Sequence, residues 1–434
     1  MSKKTRLEQT SQKRKSKRAK RLKKNKHKSR ILGLGIIILI CGFYINHFNK
    51  TNIYNDFISE NIFIEEVDVS KMTKEEATEL VKKDYTPQSI KLTYKDNEYE
   101  ISPQDIDLKY NIEEVVNNAY NYTKINSYFE NVKIVMGLKK EKKEFEIKSS
   151  YDEAKLSQAM DEISKTINVS MVNAKVNANN SGQISISPST TGREVNVAAN
   201  KEAIYEKINT KNYDIIELKV DIKSPRVSTE QAQSVNSVLA EYSTKINNSN
   251  PGRTHNVILS AKKSSDILLM PGEEYSYNTL TGMRTVSNGY KDAPVIVNNK
   301  LVDALGGGVC QTSSTIFNPV LTSGLKITSR RNHSIASDYV PMGQDAMVND
   351  GGQDFRFKNQ FDNPVYIKNI ITNDSITTKI YGNSSDKKSI TIRVDKFKEN
   401  GLDATNTYRE YRDASGKIIK TEFVGKSVYK KLEK

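Results

Sequence analysis

One uncharged apolar run follows directly behind a strongly basic segment, and this pairing constrains how the rest of the chain can fold. Residues 1–30 contain 15 Lys and Arg and a single acidic residue, Glu8, and the run Ile31–Ile45 (ILGLGIIILICGFYI) follows them. Extended to Phe48, the run forms about 27 Å of helix, close to the thickness of a bilayer core. The positive-inside rule places the basic side in the cytoplasm. We therefore predict a cytoplasmic tail at 1–30, a transmembrane signal anchor at 31–48 and extracellular domains behind it.

A cleaved signal peptide is the alternative to this anchor. Asn46–Asp56 offers no A-x-A-like cleavage site, and Ile40 precedes Cys41 where a lipoprotein signal needs a small residue. Most of the formal charge of +15 lies in the tail, so no nucleic-acid partner is predicted. The tail cannot bury apolar area, and we predict that it is disordered.

Between the run and Pro225 the sequence alternates short helical and strand patterns. Thr73 and Glu76 form a capping box that opens a helix, and Ile90–Tyr94 with Tyr99–Ile101 predicts a hairpin. Further helices are predicted at 112–122, 151–163 and 199–208, and further strands at 172–176 and 184–186. The repeated order indicates two small α+β modules within 49–224, with a boundary near 145.

Ser187–Val197 (SPSTTGREVNV) and the segment before it resemble the peptidoglycan-binding domain of Gram-positive cell-wall enzymes. The resemblance implies peptidoglycan as a partner. The alternative is a spacer that holds a catalytic domain away from the membrane.

The region beyond Pro225 contains a single thiol. Cys41 lies in the apolar run, so Cys310 is the only cysteine behind it, and an intramolecular disulfide is excluded. An odd thiol in an exported protein is either a buried bystander or a reactive group. A helix is predicted at Ser228–Tyr242, and strands at His255–Ser260 and Val365–Ile371.

Three glycines, Gly306–Gly308, run directly into Cys310, and apolar residues then recur at helical spacing as far as Gly324. A cysteine near a helix N-terminus is favoured as thiolate by unpaired N–H groups and the helix dipole. The same region could form an oxyanion hole from the main chain of Cys310, Gly307 and Gly308.

A thiol nucleophile needs a base, and two histidines are available behind the apolar run. His333 is the preferred partner of Cys310, and His255 is the alternative. Neither a metal site nor a cofactor is predicted, because these residues lack paired CxxC or HExxH motifs.

Several longer motifs resemble the VanW domain family over about Val227–Ile371. They are Pro271–Tyr277 (PGEEYSY), Met283–Thr285 (MRT), Gly289–Val297 (GYKDAPVIV), Gly306–Thr315 (GGGVCQTSST), His333-Ser334, Tyr339-Val340 and Gly343–Val348 (GQDAMV). The resemblance implies a mixed α/β VanW-like domain at 225–385. The residues behind it predict a short β-rich extension at 386–434, and the chain as a whole is predicted to be α+β.

Clostridial proteins with this domain are associated with L,D-transpeptidase activity, so the resemblance implies a cysteine enzyme that forms 3→3 peptidoglycan cross-links. In this interpretation Cys310 is the nucleophile, His333 carries the proton, and Asp345 orients His333. The implied substrate-binding residues are Arg284, Arg330, Arg331 and Tyr339. A thiol peptidase of the wall and a non-enzymatic wall-binding protein are the alternatives.

Overall fold

Helices and strands are mixed along the whole chain, which confirms the predicted α+β class. The computed structural model describes residues 3–179, 181–297 and 300–431. A few residues of the predicted tail and C-terminal extension therefore lie outside the described ranges. The chain divides into two compact units. The first comprises residues up to Asn168 together with Val195–Asp221, and the second comprises Val169–Glu194 and Ile222 onward.

The elements of the N-terminal half are short apart from the first helix. In chain order they are α1 (Lys3–Asn52), β1 (Ile62–Ile64), β2 (Val67–Asp68), α2 (Lys74–Asp84), β3 (Ile90–Tyr94), β4 (Asn97–Ile101), β5 (Lys109–Tyr110), α3 (Ile112–Asn121), α4 (Tyr128–Leu138), β6 (Lys143–Phe145), β7 (Ser149–Ser150), α5 (Glu153–Ile167), β8 (Lys175–Ala178), β9 (Ile184–Ser187), β10 (Gly192–Val195), α6 (Val197–Thr210), β11 (Ile216–Glu217) and β12 (Val220–Lys223).

The C-terminal half has longer strands and one long buried helix. Its elements are α7 (Thr229–Gln233), β13 (Ser237–Lys245), α8 (Pro251–Lys263), β14 (Ile267–Leu269), β15 (Glu274–Ser276), α9 (Tyr277–Thr281), β16 (Asp292–Val297), β17 (Lys300–Leu305), α10 (Val309–Ser323), β18 (Lys326–Ser329), β19 (Arg356–Lys358), β20 (Val365–Ile371), β21 (Ser375–Gly382), β22 (Ser389–Glu399), β23 (Leu402–Arg412) and β24 (Ile418–Tyr429).

Helix α1 contains the apolar run. Its segment Leu32–Asn52 is long and apolar enough to cross a membrane, a test of length and composition that a signal sequence also passes. The prediction of a disordered tail is wrong, because the helix begins at Lys3 and continues through the basic residues. The straight side chains of Lys and Arg are good helix formers, so the helix extends back from the apolar run.

The first unit has two separate apolar cores. One gathers residues from β1 through α3 and α4, and the other joins β3 and β4 to α5 and α6. The predicted capping box of Thr73 and Glu76 is present at the start of α2. The predicted hairpin is also confirmed, with Leu92 opposite Tyr99 across β3 and β4. Residues of the two cores alternate along the chain, so the cores do not correspond to the two predicted modules with a boundary near 145.

The second unit is built around α10. An antiparallel sheet in the order β13-β21-β20-β14 packs against it. The helix is almost wholly buried, with Ile316, Phe317, Val320 and Leu321 in the main core, and it ends at Gly324 as predicted. Pro319 lies inside this helix without ending it. The unit also contains two three-stranded antiparallel sheets, β15-β19-β18 and β22-β23-β24, and the two-stranded sheets β16-β17 and β8-β9.

Two predicted elements of this unit are wrong. The helix that opens at the Ser228 capping box ends at Gln233, and Ser237–Lys245 is a strand paired with β21. The predicted strand at His255–Ser260 is part of helix α8, which Asn250 caps and Pro251 begins. An Asn cap followed by Pro at the first helical position is a helix-start signal that outweighs the β propensity of the following Val and Ile.

Segment 169–194 and the C-terminal strands both belong to the second unit. Val176 and Ala178 of β8 are buried with Tyr366 and Tyr381 in one core cluster. Arg409 of β23 is buried and donates to the carbonyls of Val320 and Leu325, which places the β-rich extension against α10. The residues of 386–434 that are described are therefore packed into this unit rather than appended to it.

The glycine loop before α10 is closely packed. A Cβ on Gly307 would lie 2.5 Å from the carbonyl oxygen of Ala293, and one on Gly306 would lie 2.5 Å from the Arg284 side chain. Gly308 has φ of +104° and caps α10 in the left-handed region, which glycine adopts without a steric penalty. The loop therefore requires glycine for space at Gly307, for conformation at Gly308, and for both reasons at Gly306, whose φ is +84°.

The glycine loop generates a stability prediction. Gly307→Ala puts a methyl group against main chain of β16 that cannot move cheaply, so we expect a loss of about 1–3 kcal/mol. Thermal unfolding of the full chain in detergent, followed by circular dichroism, should show a lower midpoint. Gly351→Ala is the control, because its Cβ would meet nothing closer than 3.6 Å. An unchanged midpoint for Gly307→Ala would contradict the close packing.

Candidate active site

The Cys310 thiol lies in the first turn of α10, immediately after the glycine loop. The cysteine is free and partly buried. Its Sγ is 3.3 Å from the carbonyl oxygen of Val348 and 3.5 Å from the N–H of the same residue. N–H groups in the first turn of a helix have no intrahelical acceptor, so the main-chain N–H of Cys310 is oriented toward the helix N-terminus beside its own thiol.

The His333 imidazole is the group whose charge acts on this thiol. It follows β18 in an irregular segment, and its interaction with Cys310 shifts the pKa of both groups. Nδ1 lies 2.7 Å from Asp345 Oδ2, and Nε2 lies 3.4 Å from the Tyr339 hydroxyl. With Nδ1 occupied by the carboxylate, Nε2 is the nitrogen left for chemistry at the thiol.

The Asp345 carboxylate is almost completely buried and accepts four hydrogen bonds. Oδ2 accepts from the main-chain and ring N–H groups of His333, at 2.6 and 2.7 Å. Oδ1 accepts from Arg330 Nη2 at 3.0 Å and from the Tyr429 hydroxyl at 2.7 Å. A buried carboxylate with this many donors is held ionised, and it fixes the plane and tautomer of the imidazole.

Each of the three groups has a shifted pKa. Burial opposes the thiolate, but the hydrogen bond and the charge of His333 outweigh burial and lower the pKa of Cys310. Burial also opposes the charge on His333, yet its hydrogen bonds to Asp345 and Cys310 raise its pKa to about 10. The Asp345 pKa is lowered, because its hydrogen bond to His333 and the charge of Arg330 outweigh burial. The thiolate, the imidazolium and the carboxylate therefore stabilise one another.

The polar side of α10 positions the segment that carries Asp345. Ser313 donates to the carbonyl of Ala346 at 2.6 Å, and Ser314 accepts from the Ala346 N–H at 2.9 Å. Asn318 donates to the carbonyl of Gln344 at 3.0 Å. These hydroxyl and amide groups are buried, and buried polar groups need partners. One helix thus holds the cysteine directly and the aspartate through its neighbours.

Two predicted substrate-binding arginines have other partners. Arg284 is buried and pairs with Asp350 at 2.8 Å, while its second terminal nitrogen donates to Asn278. All three nitrogens of Arg330 are bonded within the protein, to Asp345 and Ser427. Their guanidinium groups already have acceptors, so we replace the prediction that they bind substrate carboxylates. Arg330 acts instead as a partner of Asp345.

The other predicted site residues have varied surroundings. Arg331 is exposed and Tyr339 is half-buried beside the imidazole, with ring centroids 6.3 Å apart. Gly307 and Gly308 lead into the first turn of α10 as predicted. His255, the alternative base, lies on α8 with Nε2 2.8 Å from the Gly289 carbonyl oxygen. His333 is thus the histidine that the fold brings to Cys310.

Sequence reasoning missed two residues of the site. Tyr429, near the end of the chain, bonds Asp345, and burial together with the charge of Asp345 raises the pKa of its hydroxyl to about 12. Arg253 in the first turn of α8 lies 6.0 Å from the Tyr339 ring and donates to Gln311 at 2.9 Å. The Asn250-Pro251 helix start was the one available signal for Arg253, and no local signal points to Tyr429. Among the described residues, no group of three His, Cys, Asp or Glu could hold a metal ion.

The comparisons with known proteins match two regions of the chain. Residues 252–381 match the family described as "VanW like protein", and residues 99–216 match the family described as "Putative peptidoglycan binding domain". The first region contains Cys310, His333 and Asp345. The second lies inside the region predicted to bind peptidoglycan.

Two curated relatives are similar to parts of the chain. It is 37% identical over 218 residues to the "Uncharacterized protein YoaR" of Bacillus subtilis (strain 168), covering 50% of this chain and 71% of that protein. It is 31% identical over 115 residues to the "Vancomycin B-type resistance protein VanW" of Enterococcus faecalis (strain ATCC 700802 / V583), covering 25% of this chain and 42% of that protein. No solved structure matches the chain significantly.

Together these features define a protein with an α+β domain that carries a cysteine beside a histidine, which is hydrogen-bonded to an aspartate. The chain belongs to the VanW-like protein family, together with YoaR, and contains a peptidoglycan-binding domain.

The lowered thiol pKa generates a pH prediction. In a Cys41→Ser background, Cys310 is the only cysteine of the chain. Alkylation by iodoacetamide follows the thiolate fraction, so its rate should reach half of its maximum below the ordinary cysteine pKa of about 8.5. In His333→Gln the burial remains and the cation is lost, so this midpoint should move to higher pH.

His255→Gln is the matched control, because that ring contacts the Gly289 carbonyl and not the thiol. It should leave the alkylation profile unchanged. Equal midpoints with and without His333 would contradict an ion pair between the imidazole and Cys310.

Proposed function

We propose that this protein is a membrane-anchored cysteine L,D-transpeptidase that forms 3→3 cross-links in peptidoglycan. The observation that carries the proposal is the partly buried Cys310 thiol beside the His333 imidazole, which Asp345 orients at 2.7 Å. A nucleophile, a proton carrier and an orienting carboxylate are the parts that covalent acyl transfer requires. Membership of the VanW-like family and the peptidoglycan-binding domain support a substrate in the cell wall.

The first half of the proposed reaction forms a thioester. The Cys310 thiolate attacks the carbonyl carbon of the third residue of a tetrapeptide stem, at the bond between the L centre of a diamino acid and the terminal D-Ala. The C–N bond breaks, and the His333 imidazolium gives its proton to the leaving amine. The raised pKa of His333 supports this role, because the proton is present at neutral pH when the leaving group needs it.

The second half transfers the acyl group to another stem. The side-chain amine of the acceptor attacks the thioester carbon, neutral His333 takes the amine proton, and the thiolate leaves. These steps restore the Cys310 thiolate and the His333 imidazolium. Hydrolysis would follow if water attacked instead, so the acceptor must displace water from the thiol.

Both halves pass through a negatively charged tetrahedral oxygen. The N–H groups at the start of α10 and in the loop of Gly307 and Gly308 are the donors that we propose for it. Main-chain donors at a helix N-terminus stabilise such a charge without reorganisation.

The location follows from the N-terminal helix and the peptidoglycan-binding domain. We propose that Leu32–Asn52 of α1 spans the cytoplasmic membrane with the basic tail in the cytoplasm. The domains behind it would then lie outside the cell, where their substrate is. Residues 99–216 would hold wall polymer while the second unit acts on its stems.

Muropeptide analysis tests the proposal. Purified full-length protein in detergent is incubated with disaccharide-tetrapeptide, and the products are measured by mass spectrometry. We expect 3→3 dimers, released D-Ala and a stem acyl group on Cys310. Cys310→Ala should give none of these products, and His333→Gln should slow them by about 10²–10⁴-fold.

Cys41→Ser is the matched cysteine control and should retain full activity, since Cys41 lies in the apolar run of α1. Free tripeptide stems without dimers would replace the proposal with a thiol peptidase. If wall binding persists but neither product forms, the protein is a non-enzymatic wall-binding protein.

A further inference from the structure

Arg253 is a cation of the active site that the proposed proton chemistry does not use. It lies in the first turn of α8, with its stem against the glycine loop: a Cβ on Gly308 would lie 3.0 Å from Arg253 Cγ. Its guanidinium carbon lies 6.0 Å from the ring centroid of Tyr339, which itself contacts His333. Arg253 therefore lies between the loop that precedes Cys310 and the ring that borders the imidazole.

Among the described residues, Arg253 has no carboxylate partner of the kind that Arg284 and Arg330 have. Arg284 and Arg330 pair with Asp350 and Asp345, whereas Arg253 Nη2 donates to a neutral amide oxygen, that of Gln311. The residue is half-buried, so water or a ligand can reach its remaining N–H donors. A guanidinium with a neutral partner on one side offers its free edge to a carboxylate.

We propose that Arg253 forms a carboxylate-binding subsite next to Cys310. This subsite deepens the proposed function, because every peptidoglycan stem ends in a carboxylate and the subsite would hold the donor stem with its scissile bond at the thiol. Gln311 orients the guanidinium, and the glycine loop leaves room for its stem. Arg253 of α8 thus takes the role that the sequence predicted for Arg284 and Arg330.

The test uses two alkylating agents that differ in charge and needs no peptidoglycan. In the Cys41→Ser background, iodoacetate carries a carboxylate to Cys310 and iodoacetamide carries a neutral amide. We expect Arg253→Met to lower the rate with iodoacetate by about tenfold relative to the rate with iodoacetamide. The iodoacetamide rate also reports whether the variant is folded and its thiol ionised.

Arg226→Met is the control, because it removes one positive charge from the same unit at a surface ion pair with Glu273. It should leave the ratio of the two rates unchanged. Equal losses with both reagents, or no loss with either, would overturn the subsite. The ratio responds whether or not the protein cross-links stems, so its failure is distinct from failure of the proposed reaction.

A separate observation concerns the first unit, where large apolar side chains are exposed around the end of α1. Tyr54, Ile125 and Phe129 are 67%, 73% and 83% exposed, and we call these three residues the juxtamembrane patch. Lys133 follows Phe129 by one helical turn on α4 and is also exposed. Exposed apolar groups clustered in this way mark a surface that contacts a partner or a membrane.

Hydrogen bonds join the patch to the end of the candidate span. Tyr128, next to Phe129, donates its hydroxyl to Asn49 Oδ1 at 3.1 Å. Lys124, next to Ile125, donates to the carbonyl of Phe57 at 2.7 Å. Ile53, directly after α1, is only 1% exposed. The sequence neighbours of Ile125 and Phe129 are therefore bonded to residues at and just after the end of α1, where Tyr54 also lies.

We infer that the juxtamembrane patch inserts into the headgroup region of the outer leaflet. Aromatic and aliphatic side chains beside a lysine are the composition that binds at a lipid interface. Continuity with α1 selects lipid as the occupant, because a spanning α1 would bring the patch to the bilayer surface. This inference rests on the proposed anchor, and it would hold the first unit against the membrane.

Fluorescence can test the insertion site by site, because the chain has no tryptophan. Full-length single-tryptophan variants Leu39→Trp, Phe129→Trp and Tyr205→Trp are reconstituted in phosphatidylcholine–phosphatidylglycerol vesicles. The vesicles contain lipids brominated near the top of the acyl chain. Tyr205 is 52% exposed on α6, in the part of the first unit that packs around the other core, and provides the control position.

We expect bromolipid quenching at positions 39 and 129 and none at 205. Quenching at 39 without quenching at 129 would overturn the patch and leave the anchor intact. If position 129 is shielded from iodide but not quenched by lipid, a protein covers it and the lipid proposal is wrong. If position 39 is not quenched, the anchor and the patch are both wrong.

Discussion

The arrangement of the site depends on one buried charge, the carboxylate of Asp345. An ionised carboxylate cannot remain in a protein interior unless donors replace the water that it has lost. Here the donors come from Arg330 and His333, which are close together in sequence, and from Tyr429, which is distant from both. The fold must bring all three together for the charge to be tolerated. Once it has done so, the imidazole has only one orientation, with the opposite nitrogen toward the thiol.

Helix α10 extends this constraint to the thiol. A buried helix usually presents an apolar stripe, and α10 does so with Ile316, Phe317, Val320 and Leu321. Its remaining sides are also buried but polar, from Gln311 to Asn318. Their hydrogen bonds hold the main chain around Asp345, so that Cys310 and the carboxylate are positioned by the same rigid element. The polar residues of α10 look like a solvent-exposed helix face in the sequence, but they are buried and hold the segment that carries Asp345.

The sequence was sufficient to predict the residues whose types are rare. Cys310 is a solitary thiol, only two histidines lie behind the apolar run, and a glycine run before a helical pattern limits the local geometry. Family resemblance supplied Asp345. Arginines were harder to interpret, because a sequence shows a charge but not its partner. Only the fold reveals that Arg284 pairs with Asp350 and Arg330 with Asp345. Arg253 instead donates to the neutral side chain of Gln311.

Secondary structure was predicted well where local signals agree and poorly where tertiary pairing overrides them. The hairpin of β3 and β4 and the capping boxes are local, and the structure contains them. The strand β13 follows a correctly predicted helix start, but its pairing with β21 is made across the whole second unit. Position 429 carries no local signal either, since its role depends on a contact with a residue far earlier in the chain.

The position of Tyr429 has a consequence for biosynthesis. A ribosome completes Cys310, His333 and Asp345 well before it reaches the strand that supplies this hydroxyl. Until β24 has joined its sheet, Asp345 lacks one of its four hydrogen-bond donors. The residues around it are then less well held in their final arrangement. The thiol is therefore organised only after β24 has been synthesised and paired, since Tyr429 follows Asp345 by 84 residues.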